Sequence, residues 1–266
     1  MSPLAGQRIV VTRLPRQARA FCDRIAKAGA TCVPLPVIEV QPVAPHRALD
    51  DALRSLARPD RVDRLDWVVF TSANGVAATA SHLERLGIDV AALRTARIAA
   101  IGPATRAALR ECGLEPDAMP DEFLTERIAD VVGDVRGRRF LLLRADRSSD
   151  VLPRRLREGE AHVNDVTVYH TVERPFDPNA AVMLGDGVDA ITFTSPSTVH
   201  GFCRVVGETW RSITRDAAIV TIGPVTSAAA REAGMNVTVE ADRHDADGLF
   251  DALVSCFATQ PPDGAA

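Results

Sequence analysis

An α/β protein of two similar lobes, each built on a parallel sheet, is predicted by three features of this 266-residue sequence. Short β-branched apolar runs alternate with segments of helical spacing. Prolines stand near the starts of several of those helical segments. Long passages also occur twice, in an order that a tandem duplication would not leave.

The first run, RIVVTR (8–13), is apolar at successive positions, as expected of a parallel strand buried on both faces. Pro15 follows it. DWVVFTS (66–72) reads the same way, and RIAAIG (97–102) runs directly into Pro103. RRFLLLR (138–144) precedes Pro153, DAITFTS (189–195) precedes Pro196, and AIVTIG (218–223) precedes Pro224. Near a first helical position proline loses nothing, because its N–H would have no partner within the helix. Strands alternating with helices of about 10–15 residues specify parallel sheets covered by helices.

The repeat sets the organisation. IGPATRAALRECG from Ile101 and IGPVTSAAAREAG from Ile222 are identical at nine of thirteen positions. DWVVFTSANGV (66–76) matches DAITFTSPSTV (189–199). RIVVTR with AGATCVPLPVI (28–38) matches RFLLLR (139–144) with GEAHVNDVTVY (159–169). One block of the first copy therefore lies at the N-terminus, far from its partners. A discontinuous lobe of residues 1–38 plus 175–258 accounts for this, with residues 46–168 inserted as a circularly permuted copy. Residues 39–45 and 169–174 become the two crossings, and their extended, proline-bounded character suggests a two-stranded antiparallel linker. The tail 259–266, TQPPDGAA in full from Thr259, is expected to be disordered.

Bulk properties exclude several classes. Hydrophobic residues at 46% and charged residues at 25% are ordinary for a soluble globular chain, and no apolar run is long enough to span a membrane. The N-terminus lacks the pattern of a signal peptide, so a cytoplasmic protein is expected. A net charge of −4 gives no general attraction to nucleic acid. Five cysteines (22, 32, 112, 203 and 256) are scattered without a C-x-x-C pair and read as buried thiols of a reducing compartment, neither disulfides nor metal ligands. The six histidines show no metal-ligand spacing. P-loop, H-E-x-x-H and G-x-S-x-G signatures are absent, and GDGVDA (185–190) runs into a strand where a dinucleotide loop would leave one.

What remains is a rim. Ligands of open parallel sheets bind beyond the carboxyl ends of the strands. Here those ends carry Thr12-Arg13, Thr71-Ser72, Gly102, Arg144, Thr194-Ser195 and Gly223. Hydroxyls, glycines and helix N-termini of this kind favour an anion, and two such rims suit a ligand with several carboxylates. Each Ser or Thr taken alone is equally an N-cap. Tyr169, the single tyrosine, lies in the second crossing, where its phenol is either a proton donor or a brace for the linker.

The paired FTS strands, the doubled I-G-P-x-T block, the permuted repeat and the VTVYHT crossing resemble uroporphyrinogen-III synthase over nearly the whole chain, to about residue 258. That resemblance implies two flavodoxin-like lobes, a two-stranded linker, and an active site in the cleft between the lobes. It implies a hydro-lyase that closes hydroxymethylbilane, an octacarboxylate linear tetrapyrrole, to uroporphyrinogen III with loss of water and inversion of ring D through a spiro intermediate. No cofactor, metal, nucleic acid or membrane partner is implied, and a monomer is expected. The family's tyrosine falls on Tyr169 as the catalytic candidate. Its substrate-binding positions fall on Thr12, Arg13, Ser72, Asn74, Gly102, Thr105, Arg144, Ser195, Ser197, Gly223 and Thr226. The alternative reading is a non-enzymatic two-lobed anion-binding protein or a flavodoxin-like regulator, the first expected to carry a signal peptide and the second a phosphate-cradling loop.

Overall fold

The computed structural model describes residues 2–57, 64–122, 125–185 and 187–258, so the tail 259–266, expected to be disordered, lies outside the described residues. In chain order the first strands and helices are β1 (Arg8–Val11), α1 (Pro15–Lys27), β2 (Thr31–Pro34), β3 (Ile38–Pro42), α2 (Arg47–Leu56) and β4 (Trp67–Phe70). There follow α3 (Ala73–Arg85), β5 (Arg97–Ala100), α4 (Pro103–Glu111), α5 (Ile128–Val131), β6 (Arg139–Ala145), α6 (Val151–Glu158) and β7 (His162–Glu173). The chain continues through α7 (Pro178–Leu184), β8 (Ala190–Phe193), α8 (Pro196–Val206), α9 (Trp210–Asp216), β9 (Ala218–Thr221), α10 (Pro224–Glu232), β10 (Val237–Glu240) and α11 (Ala246–Ala258). The chain folds as two compact units, Met1–Glu39 with Val172–Ala266, and Val40–Thr171.

The first unit holds a parallel sheet ordered β10-β9-β8-β1-β2. Because successive strand residues point to opposite faces, each apolar run supplies two cores. Val10, Ile191, Phe193 and Ile219 pack on one face with Val199, Phe202 and Val205 of α8. Ile9, Val11, Ala190 and Val220 face Phe21 and Ile25 of α1 and Leu249 and Leu253 of α11. This double coverage is why these strands read as continuous hydrophobic runs without alternation.

The second unit repeats the logic in a sheet ordered β3-β7-β6-β4-β5. Strands β7, β6, β4 and β5 are parallel, and an isolated parallel bridge joins Ala99 to Ala118 beyond β5. Val68, Phe70, Leu141 and Leu143 meet Leu53 of α2 and Val76 and Leu83 of α3. Trp67, Val69, Phe140 and Leu142 meet Ile128 of α5 and Leu152 and Leu156 of α6, with the Trp67 and Phe140 rings stacked at 6.5 Å. At the sheet edge β3 pairs with β7: the Val43 N–H donates to the Val168 carbonyl, and in the first unit the Arg174 N–H donates to the Val37 carbonyl.

Two details differ from expectation. Pro153 is the third residue of α6 and does not open it; the first turn still has no intrahelical acceptor for that N–H, so the helix loses no bond. The expectation that every cysteine is a free thiol is corrected at one pair, because Cys22 of α1 and Cys32 of β2 form a disulfide with Cα atoms 5.3 Å apart. Helix α1 folds back along β2, which brings a ten-residue spacing within bridging range although no motif marks it. Cys112, Cys203 and Cys256 are free. Thiol titration of the unreduced, denatured chain should therefore find three reactive groups, rising to five after reduction.

Candidate active site

The carboxyl ends of the strands lead into helix N-termini built in two ways. Ser72 and Ser195 are N-caps in extended conformation. The Ser72 hydroxyl accepts from the Gly75 N–H at 3.0 Å and that of Ser195 from the Thr198 N–H at 3.3 Å. Gly102 and Gly223 carry no side chain to cap with, and each is followed by proline at the first position of its helix, α4 or α10. First-turn N–H groups at α4 and α10 are therefore left without a side-chain acceptor, which is the condition for holding an anion.

In the second unit three of the predicted residues meet. The Ser72 and Tyr169 hydroxyls lie 2.8 Å apart, and the Asn74 side chain is close enough to the phenol to lower its pKa. Tyr169 is buried, with only 6% of its surface exposed. Burial pushes its phenol above the ordinary value, the Ser72 hydroxyl and the Asn74 side chain pull it back, and the charge of Asp146 adds to the rise. The net shift is upward, so the phenol is protonated at neutral pH and serves as a donor. Tyr169 is the only tyrosine, which makes this directly readable. Tyrosinate absorbance should titrate with a midpoint above about 10 in the folded protein and near 10 in denaturant. The sign follows for stability: the contribution from the raised phenol is complete below about 10 and is lost as pH rises through the folded value.

Gly75 is a contributor that sequence reading missed. A Cβ there would sit 3.0 Å from the Leu143 carbonyl, 3.3 Å from the Ser72 hydroxyl and 3.8 Å from the Tyr169 ring. The missing side chain lets the first turn of α3 close on β6 and on the phenol. The available signal was the mismatch in the repeat, where Gly75 stands opposite Thr198. In the first unit Thr198 instead completes a capping box with Ser195.

Beside Tyr169, His170 Nδ1 lies 3.1 Å from the Asp146 carboxylate, which also accepts from the Thr171 N–H. Burial raises the Asp146 carboxyl, but His170 and the backbone donors outweigh it and hold the group below its ordinary range.

Other predicted residues are committed within the fold. Arg144, at the end of β6, is buried, with Nε 2.9 Å from one oxygen of Asp165, its terminal nitrogen on the other, and a second terminal nitrogen 2.6 Å from the Ser149 carbonyl. Thr12 is fully buried and donates to the Thr192 carbonyl at 2.7 Å. Thr105 and Thr226 are buried at the third positions of α4 and α10. Gly223 gives room for a ring, since a Cβ there would lie 2.8 Å from His244. Ser197 is half-buried at the second position of α8.

Arg13 differs from Arg144. Its guanidinium lies 6.0 Å over the Phe21 ring, its Nε is buried without a partner, and no described carboxylate pairs with it. Burial draws its pKa down, yet a guanidinium remains charged at any working pH. A buried, unpaired donor of this kind favours an incoming carboxylate. Among the described residues no three His, Cys, Asp or Glu side chains are grouped to hold a metal ion, and no helix is long and apolar enough to cross a membrane.

Comparison with known proteins decides the family. The family model described as uroporphyrinogen-III synthase HemD matches residues 20–251. The chain belongs to the uroporphyrinogen-III synthase family. It is 29% identical over 262 residues to the uroporphyrinogen-III synthase of Synechococcus elongatus, covering 94% of this chain and 96% of the relative. Against the Chlorobaculum parvum uroporphyrinogen-III synthase it is 26% identical over 261 residues, covering 94% and 98%. Among solved structures, a mutant uroporphyrinogen III synthase of Thermus thermophilus superposes with a TM-score of 0.63 at 20% identity, covering 96% of this chain and all of that one. The Helicobacter pylori uroporphyrinogen-III synthetase gives a TM-score of 0.60 at 15% identity, over 94% and 99%. These two likenesses establish the α/β fold with parallel sheets. The uroporphyrinogen-III synthase family acts in tetrapyrrole biosynthesis, so this chain is placed among enzymes working on a small tetrapyrrole.

Proposed function

We propose that this protein converts hydroxymethylbilane to uroporphyrinogen III, as a hydro-lyase that removes water, closes the macrocycle and inverts ring D. The observation that carries the reading is the Ser72–Tyr169–Asn74 cluster at the carboxyl ends of the second unit's strands. The Ser72 hydroxyl already accepts from the Gly75 N–H, which leaves its own proton available to the phenol oxygen. Tyr169 can then point its proton outward. Donated to the substrate's terminal hydroxyl, that proton lets the hydroxyl leave as water, breaking its C–O bond and leaving an azafulvene cation. Ser72 and Asn74 stabilise the phenolate so formed. The proton released when the closed ring regains its pyrrole form restores the phenol.

The same proposal takes the two units as flavodoxin-like lobes, joined by the paired β3 and β7 crossings, with the active site in the cleft between them. Support comes from strand order. Starting the first unit at β1 and the second at β6, each sheet reads 2-1-3-4, the order of doubly wound flavodoxin-like sheets, with β10 and the Ala118 bridge in the fifth place. On this reading the first unit contributes Arg13, Ser195, Ser197 and the N-terminus of α10 to the substrate carboxylates. The second contributes the N-terminus of α4. The enzyme acts as a cytoplasmic monomer without cofactor, and its main contribution is to hold a flexible chain in the geometry that inverts the last ring.

The test supplies freshly generated hydroxymethylbilane, oxidises the products and resolves the uroporphyrin isomers. Predominantly type III isomer is expected. A type I product matching the protein-free control would overturn the reading.

A further inference from the structure

A cavity of about 780 Å³ lies in the second unit at the amino ends of β4, β5 and β6, at the opposite ends of these strands from Ser72 and Arg144. Its volume is in the range of small-molecule sites. Its wall carries both signs of charge, but the two signs are not equally occupied.

Two of the four wall carboxylates, Asp66 and Glu115, are in ion pairs, and the other two accept from backbone N–H groups. Asp66 accepts from the Arg138 guanidinium at 2.8 Å and from the Arg139 N–H at 2.9 Å. Asp117 accepts from the Ile98 N–H at 2.7 Å and Asp134 from the Arg136 N–H at 3.1 Å. Glu115 is held by Arg106 and by Arg110, two arginines outside the cavity wall.

Three arginines on the wall are different. Arg64 donates Nε and a terminal nitrogen to the Thr95 carbonyl, at 3.2 and 3.0 Å. Arg94 donates to the Gly113 carbonyl. Arg97 lies over the Trp67 ring at 5.6 Å. Among the described residues none of the three pairs with a carboxylate. A guanidinium has five N–H donors, so each keeps several for a ligand. The carbonyl bonds fix Arg64 and Arg94 in place, and the ring fixes Arg97, which lowers the entropy cost of gripping an anion.

We propose that this cavity is a second binding site, for a small organic or inorganic polyanion carrying at least two carboxylate or phosphate groups, held by Arg64, Arg94 and Arg97. Guanidinium forks match both groups in bidentate fashion, so the shared chemistry is a planar or tetrahedral oxyanion. Three separate forks exceed what one oxyanion can engage well, hence the requirement for two. Leu65 and Val132 supply the apolar part of the wall. The site does not depend on the reaction proposed above and uses none of its residues.

Trp67 provides a local probe. It is one of two tryptophans, so a Trp210→Phe background isolates it. The probes are citrate for the carboxylate class and inorganic pyrophosphate for the phosphate class, titrated into the full chain at constant ionic strength. An anion bound to Arg97 changes the net charge facing the Trp67 ring, so a saturable fluorescence change is expected with at least one probe, with a Kd below about 1 mM. Arg97→Gln, a change at an exposed side chain, should weaken that Kd at least tenfold, and Arg64→Gln/Arg94→Gln/Arg97→Gln should abolish binding. At a hundredfold excess over Kd the wild-type Tm should rise by about 5 °C, an increase the Arg97→Gln protein should lose. Response to citrate alone assigns a polycarboxylate, response to pyrophosphate alone a phosphate ligand. No saturable change with either probe, or an affinity unchanged in Arg97→Gln, overturns the proposal; if the triple variant fails to fold, the single variant decides.

Discussion

Tyr169→Phe is expected to lower turnover of hydroxymethylbilane to the type III isomer by about 10²-fold or more, the range for loss of a positioned general acid. Only one oxygen is removed, and the ring stays in the core formed with Val76, Leu143 and Val168. Unfolding stability should fall by no more than about 1 kcal/mol, because a neutral hydrogen bond is lost and the packing is kept. Ser72→Ala tests the same cluster from its other side. The phenol then loses a donor that pulled its pKa down, so the tyrosinate midpoint should move further up. Turnover should fall less than in Tyr169→Phe, since the acid itself remains. Because the protonated phenol is the active form, wild-type activity should persist to pH values above about 10 before this group limits it. Unchanged turnover and isomer ratio in Tyr169→Phe would remove the phenol as the acid.

Asp165→Asn is expected to destabilise the protein by about 3 kcal/mol, measured by urea unfolding. The side chain of Arg144 is 6% exposed and that of Asp165 is 27% exposed. Breaking a buried pair on one side leaves a desolvated cation uncompensated, which costs about 3–5 kcal/mol; the partial exposure of Asp165 places this case at the lower end. Replacing both partners by apolar side chains, as Arg144→Met with Asp165→Leu, should recover at least half of the loss. These outcomes separate two roles for Arg144. If it braces β6 and β7, stability changes and KM per folded molecule does not. If it binds substrate, Arg144→Met raises KM while Asp165→Asn leaves it near wild type.

The strand runs were legible because two-sided burial demands apolar residues at successive positions, as in WVVF (67–70) and AITF (190–193), both fully buried. The helix starts at Pro15, Pro103, Pro196 and Pro224 were legible because proline at a first helical position costs no hydrogen bond. Ser72 and Ser195 could be read as caps for a similar local reason. The contacts that distinguish one polar residue from another were not legible. Arg13 and Arg144 look alike as arginines ending apolar strands, yet one has a buried unpaired nitrogen and the other a bidentate carboxylate. Asp165 lies 21 residues from Arg144, and nothing in its neighbours marks it as the partner.

What the sequence by itself determined is therefore the main buried strands and the helices that follow them, their repeat and the rim on which hydroxyls and glycines are displayed. Each depends on periodicity or on residues within one turn of each other. Only the tertiary structure decided which rim groups are free, where Tyr169 finds Ser72, that Cys22 reaches Cys32, and that three arginines share a cavity wall. Those outcomes turn on pairs brought together by parallel strand register and helix packing, and the partner of a charge or hydroxyl is set by position in space, which local patterning does not encode.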